Sequence, residues 1–127
     1  MIEIHFYKTS RGEKIVEDFI RSLDPKTRAK VSRVIDLLRE RGPELRRPYA
    51  DHVTGKIKEL RIHFASDQIR ILYFLFHGMA IMLHVFRKKT EAIPASEIAQ
   101  AGRRMNDFIL RYQKGEFTHE VERTHES

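Results

Sequence analysis

One stretch of the sequence constrains the fold strongly: from Ile69 to His77 almost every residue is apolar. Aliphatic and aromatic side chains occupy both odd and even positions, and Arg70 is the early exception. Because successive strand residues point to opposite faces of a sheet, this run predicts a central strand that is buried on both sides. The rest of the chain has to supply a layer over each face.

Segments with helical periodicity precede and follow this run in the sequence, and they are suited to form those layers. A first helix is predicted between Gly12 and Asp24. Asp24 is a suitable N-cap for a second helix, with Pro25 in its first turn and a stop at Gly42. A last helix from about residue 94 to 112 carries an apolar stripe, so we expect it to cover the second face of the sheet.

Three further segments have the pattern of strands. Apolar residues alternate between Ile2 and Phe6, and the runs Lys58–Phe64 and Ala80–Arg87 flank the central strand. Residues 44–55 lack periodicity and are predicted to form a long loop. The order β-α-α-β-β-β-α predicts a small α+β domain: an antiparallel-rich twisted sheet with an N-terminal helical hairpin and a C-terminal helix.

The length of 127 residues fits one domain, which we place at residues 1–113, followed by a polar, flexible tail at 114–127. The chain has no Cys, which excludes disulfides, thiolate metal sites and Cys nucleophiles. No segment approaches the roughly 20 apolar residues that span a bilayer. We therefore expect a cytoplasmic protein without a membrane partner.

The positive charge of the chain is concentrated in its middle. The whole sequence has a net charge of +6, and the segment Lys56–Lys89 has seven basic residues against two acidic ones, a net charge of +5. A basic, strand-rich segment favours a polyanionic partner, with nucleic acid ahead of an anionic membrane surface or an acidic protein.

Cationic and histidine side chains on the last three predicted strands are the candidates for a functional groove. Alternation places Arg61 and His63 on one face of their strand, and antiparallel pairing brings residues together that are distant in sequence. A charged side chain inside an apolar run, as at Arg70, is costly unless it is paired or faces a groove. The candidates for catalysis are Arg61, Arg70, His84, Arg87, Lys88 and Lys89.

Such a groove, without a cluster of carboxylates, suits metal-free cleavage of RNA, in which the ribose 2′-OH attacks the adjacent phosphate. The reaction needs a base, an acid and fixed cations, which His, Lys and Arg can supply. We therefore expect no metal and no cofactor. Structural readings stay open: His63 and His84 also suit a core or edge position, and residues 87–89 also suit a solvated strand end.

Several segments together resemble the toxins of bacterial type II toxin–antitoxin modules, and in particular the HigB-like, phage-related members of the RelE superfamily. The similarity extends over roughly residues 2–112. It is carried by the motifs Lys58-Glu59-Leu60-Arg61, Ile69-Arg70-Ile71-Leu72-Tyr73-Phe74, Leu83-His84-Val85-Phe86-Arg87-Lys88-Lys89-Thr90 and Ile93-Pro94.

The resemblance implies an mRNA interferase, an endoribonuclease that cleaves mRNA on the ribosome without metal and is silenced by a cognate antitoxin, expected to be of the helix-turn-helix type. It implies catalytic roles for the six candidates named above. Lys56 and Lys58, which lead into Glu59-Leu60-Arg61, are implied to bind RNA, and His63 is a further candidate for RNA binding.

Two other functions are compatible with these residues. ParE-like toxins have a similar architecture but poison DNA gyrase, and they tend to lack a cationic cleavage groove. A non-catalytic module that binds RNA or an antitoxin is the second alternative, and it gains if Arg61, Arg70, His84 and Lys88 lie on different surfaces.

Overall fold

The computed structural model describes residues 1–117, and residues 118–127 of the predicted tail lie outside the described residues. The described part is an α+β domain, as predicted. Its elements in chain order are β1 (Glu3–Phe6), α1 (Ile15–Ser22), α2 (Pro25–Arg41), a short 3-10 turn (Gly42–Glu44), β2 (Ala50–Thr54), β3 (Ile57–Phe64), β4 (Asp67–Phe76), β5 (Met79–Arg87) and α3 (Ala95–Gln113).

The five strands form one open sheet in the order β1-β5-β4-β3-β2. Strands β3, β4 and β5 pair antiparallel in sequence order, which confirms the predicted meander, and β1 pairs parallel with β5. The apolar strand β4 is central, as its two-sided apolar pattern predicted.

The prediction of a continuous loop at residues 44–55 was wrong. Ala50–Thr54 forms the edge strand β2, which pairs antiparallel with β3. Only its first residue, Ala50, is buried. A five-residue edge strand that contains Asp51 and His52 has too few inward side chains to produce a recognisable alternation.

Each face of the sheet has its own layer and its own apolar core. We call the side packed by α1 and α2 the hairpin face, where Val16, Val31 and Leu38 meet β-strand residues such as Ile71. We call the other side the α3 face, where Phe108 packs near Phe74. The apolar stripe of the last helix therefore covers the second face, as predicted.

The ends of α2 follow the sequence signals closely. The carboxylate of Asp24 accepts a hydrogen bond from the backbone N–H of Thr27 at 3.2 Å, and Pro25 occupies the first turn. Gly42 has φ of 52°, a left-handed conformation that a residue with a side chain adopts at a cost, and the helix ends there.

Ordered packing continues beyond the end of α3 at Gln113. Phe117 is buried, and its ring stacks on Phe108 with centroids 5.0 Å apart. Packing therefore extends four residues past the predicted boundary at residue 113. Among residues 1–117, no helix combines the length and the apolar character needed to cross a membrane.

Candidate functional site

Arg61 and Arg70 lie directly opposite each other on β3 and β4. Paired residues on neighbouring antiparallel strands point to the same side of the sheet, and here that side is the α3 face. Around these side chains lies an open cavity of about 420 Å3, which we call the arginine cavity. It is lined by Arg61, Gln68, Arg70, Lys88, Lys89, Thr90 and Glu91.

The register of β5 decides which of its terminal cations reach this cavity. Strand β5 ends at Arg87, but the backbone N–H of Lys88 still donates to the carbonyl of Gln68 at 2.7 Å. Alternation therefore places Lys88 beside the arginines and Arg87 on the hairpin face. On that face, Nε of Arg87 lies 3.4 Å from Oδ1 of Asp67, and the guanidinium carbon of Arg87 lies 5.5 Å from the ring centroid of Phe19.

A buried carboxylate connects the two arginines. Glu59 has a side chain that is only 6% exposed, and its Oε1 accepts a hydrogen bond from Arg61 Nη1 at 2.7 Å. The same oxygen lies 3.6 Å from Nε of Arg70, which is an ion-pair distance but too long for a hydrogen bond. Glu59 thus offsets the repulsion between two guanidinium groups that face each other.

Arg70 is the most constrained cation of the cavity. Its side chain is 4% exposed, Nη1 donates to the carbonyl of Ile69 at 3.2 Å, and Nη2 donates to Gln68 Oε1 at 3.3 Å. Burial, and next the charge of Arg61, lower the pKa of Arg70, while Glu59 opposes this; the guanidinium stays charged near neutral pH.

One donor of Arg70 lacks a hydrogen-bond acceptor. Within residues 1–117, Nε of Arg70 is one of two buried side-chain atoms without a hydrogen-bond partner. A buried donor left unpaired costs about 1–3 kcal/mol. The site therefore holds a fixed cation with spare bonding capacity beside an open cavity, an arrangement suited to an anion.

His84 lies away from the cavity, in a second polar cluster that we call the α3 clasp (His84, Glu97 and Arg104). A bulge in β5 leaves Leu83 without a register partner. The Leu83 carbonyl accepts a hydrogen bond from Arg104 of α3, and the His84 ring contacts Glu97 and Arg104 of the same helix. Nε2 of His84 contacts Glu97 Oε2, and Nδ1 accepts a hydrogen bond from Arg104 Nη1 at 2.8 Å.

The partners of His84 determine its protonation. Arg donates only, so Nδ1 acts as the acceptor and the neutral ring carries its proton on Nε2, toward Glu97. Burial lowers the pKa of His84, the hydrogen bond to Glu97 opposes this, and the charge of Arg104 lowers the pKa further. Both ring nitrogens are engaged in fastening α3 to β5.

The structure thus brings four of the nine predicted site residues together: Arg61, Arg70, Lys88 and Lys89. Lys56 and Lys58 line a separate cavity of about 500 Å3 near β2, and His63 is exposed near the end of β3. His84 and Arg87 lie in the environments described above. Among the described residues, no group of three or more His, Asp or Glu side chains is arranged to hold a metal ion.

Several residues of the site were not predicted from sequence. Gln68, Thr90 and Glu91 line the cavity, and Glu59 bridges the arginines. Glu59 precedes Arg61 by two residues on the same strand, so strand alternation alone places the two on one face. For Gln68, Thr90 and Glu91 the sequence carries no comparable signal.

Comparison with known families identifies one family for this chain. The model of the family described as "Phage derived protein Gp49-like (DUF891)" matches residues 18–106, more than two thirds of the chain. That span includes every residue lining the arginine cavity, Glu59 and the α3 clasp. No curated protein matches the sequence significantly. The chain belongs to the Gp49-like family of phage-derived proteins, a RelE/toxin-like family.

Proposed function

We propose that this protein is the toxin of a type II toxin–antitoxin module, close to the HigB-like branch, and that it cleaves mRNA on the ribosome. The observation that carries the proposal is the arginine cavity. Arg61 and Arg70 lie opposite each other on β3 and β4, and Lys88 and Lys89 follow the end of β5. These four side chains line one opening that is large enough for a phosphodiester group.

The proposed reaction is an internal transfer at phosphorus. The ribose 2′-oxygen forms a bond to the adjacent phosphorus, and the bond from phosphorus to the 5′-oxygen breaks. The 2′-OH gives its proton to a base and the leaving 5′-oxygen takes one from an acid, which leaves a 2′,3′-cyclic phosphate and a 5′-OH end. The cations stabilise the charge that grows on the phosphate oxygens.

The cavity distributes these tasks among its side chains. Arg61, whose side chain is 27% exposed, is placed to bind phosphate oxygens through its fork of donors, and Arg70 supplies a fixed buried charge behind it. An arginine side chain does not give up its proton near neutral pH, so proton transfer falls to Lys88, Lys89 or Glu91. His84 fastens α3 in this proposal.

A partner that covers the cavity is part of the proposal. An RNase with an open cationic site is harmful to its own cell unless the site is blocked, and an acidic or helical segment of an antitoxin has the charge to block it. We expect the chain to co-purify with a small protein encoded beside it.

The test is to induce the wild type and the Arg61→Ala/Arg70→Ala variant and to map new 5′ ends of cellular mRNA, with and without translation. We expect cleavage of translated mRNA by the wild type and none by the variant. The matched control is Arg33→Ala/Arg41→Ala, which removes two exposed arginines of α2 and the same charge. Cleavage by the cavity variant at the wild-type level would refute the proposal.

One observation favours a second candidate, a non-catalytic RNA-binding module. The cavity lining contains no histidine, and His84 has both ring nitrogens engaged in the α3 clasp. Binding of RNA that is lost in the cavity variant, without new 5′ ends from the wild type, would select this candidate.

A further inference from the structure

One carboxylate oxygen lies between two guanidinium groups but bonds only one of them. Oε1 of Glu59 is 2.7 Å from Arg61 Nη1 and 3.6 Å from Arg70 Nε. Arg61 is thereby held by Glu59, while the Nε donor of Arg70 has no hydrogen-bond acceptor among the described residues.

We propose that Glu59 is a positioning residue that transfers its hydrogen bond from Arg61 to Arg70 Nε when an RNA phosphate binds, and so releases Arg61 to grip that phosphate. The ligand class, an RNA phosphodiester, rests on the proposed function. The exchange itself rests on the geometry of the three side chains.

Charge supplies the driving force for the exchange. A phosphate bound by Arg61 places a negative charge beside the carboxylate of Glu59, and two like charges in a poorly solvated site repel strongly. Nε of Arg70 is a donor without a hydrogen bond, 3.6 Å from Oε1, and a shift of the carboxylate by less than 1 Å shortens that distance to the 2.7–2.9 Å of a charge-assisted hydrogen bond.

The surroundings allow this movement in one direction. The two terminal nitrogens of Arg70 are fixed by the Ile69 carbonyl and Gln68, so its Nε stays in place. Arg61 has a hydrogen bond to Glu59 and a partly exposed side chain, so it is free to turn toward the cavity once that bond is released.

The direct test is NMR of the arginine Nε–H groups in the 15N-labelled chain, titrated with a 2′-O-methyl RNA trinucleotide that cannot be cleaved. We expect the Arg70 Nε–H resonance to move downfield as the carboxylate reaches it, with a saturation curve that matches trinucleotide binding. A resonance that stays unchanged while the trinucleotide binds would overturn the exchange. This titration uses the wild type and depends on no variant.

Kinetics of Glu59 variants give a second test. Glu59→Gln removes the charge and Glu59→Asp keeps it on a shorter side chain, so both lose the exchange. We expect each to lower the single-turnover cleavage rate at least about tenfold, while affinity for the trinucleotide stays equal or becomes tighter. Glu40→Gln, an exposed change of the same charge on α2, is the control.

The outcomes separate this inference from the proposed function. Wild-type rates in Glu59→Asp would show that charge compensation suffices, and parallel losses of rate and affinity would show a collapsed cavity; either overturns the positioning role. An Arg70 response to the trinucleotide without any cleavage of mRNA would support the exchange and refute the nuclease proposal.

Discussion

Two polar clusters lie on the same face of the sheet, and they differ in how completely their hydrogen bonds are made. In the α3 clasp, both nitrogens of His84 have partners and α3 lies over them. At the arginine cavity, Arg70 is more deeply buried than His84, but one of its donors has no acceptor among the described residues and the space beside it is open.

The difference separates a polar cluster that holds the fold from one that is prepared for a ligand. A satisfied, enclosed cluster gains nothing from a further partner, whereas a buried cation that keeps one donor without a hydrogen bond, beside a cavity, gains a bond when an anion arrives. On this reasoning, substitutions in the cavity lower the activity of the folded protein, whereas substitutions in the clasp lower its stability.

The largest effect is expected from Arg70→Lys. Lysine keeps the charge, but it lacks the planar guanidinium whose terminal nitrogens donate to the Ile69 carbonyl and to Gln68 while the charge stays beside the cavity. We expect the single-turnover cleavage rate to fall about 10²- to 10³-fold, the range for loss of one fixed hydrogen-bond donor of an active site, and the melting temperature to fall because the buried hydrogen bonds to Ile69 and Gln68 are lost. Arg87→Lys, the same change on the hairpin face, is the control, and an equal loss there would contradict the assignment.

The α3 clasp is expected to make stability depend on pH. The pKa of His84 is lowered in the folded state, chiefly by burial, so below pH 6.5 the unfolded chain binds the proton more readily. The free energy of unfolding then falls as the pH drops from about 6.5 toward the folded pKa of His84. At neutral pH, the full contribution of His84 to stability is present.

Urea unfolding of the wild type and of His84→Gln between pH 7.5 and 5 measures this contribution. We expect the wild type to lose stability toward pH 5 with a steeper slope than the variant. Cleavage by folded His84→Gln at pH 7.5 is expected within about threefold of wild type. Parallel pH slopes in the two proteins would show that His84 does not titrate as the clasp requires.

Most of the architecture follows from periodicity in the sequence. The run at residues 69–76 had to be central because it is apolar on both faces, and Asp24 and Gly42 mark the ends of α2. The edge strand β2 was missed because a short edge strand is stabilised by its neighbour β3 rather than by its own pattern.

The site was less predictable because it depends on register. The pairing of Arg61 with Arg70 and the opposite orientations of Arg87 and Lys88 follow from hydrogen-bond positions and from the bulge at Leu83. A change of one residue in register moves a side chain to the other face. Sequence alternation within a single strand is reliable, but which residues of different strands meet is decided by the assembled sheet.

The smallest effect is expected at Tyr73, which tests whether an unpaired polar atom alone marks a site. Tyr73 is fully buried on the hairpin face, its hydroxyl has no hydrogen-bond partner among the described residues, and burial raises its pKa to about 12. Folding removes the Tyr73 hydroxyl from water and gives it no hydrogen bond in return. Because Tyr73→Phe removes this hydroxyl, we expect the free energy of unfolding to rise by about 0–1 kcal/mol.

Tyr7→Phe is the matched comparison, because the Tyr7 hydroxyl donates to Asp107 Oδ2 at 2.6 Å, and we expect it to lower the free energy of unfolding by about 1–2 kcal/mol. Urea unfolding measures both variants. If Tyr73→Phe lowers the free energy of unfolding as much as Tyr7→Phe does, the Tyr73 hydroxyl is hydrogen-bonded.

RNA binding is expected to be unchanged in both variants, because neither tyrosine lines the arginine cavity. The unpaired nitrogen of Arg70 thus points to a ligand because an open cavity lies beside a charged group, a combination that Tyr73 lacks.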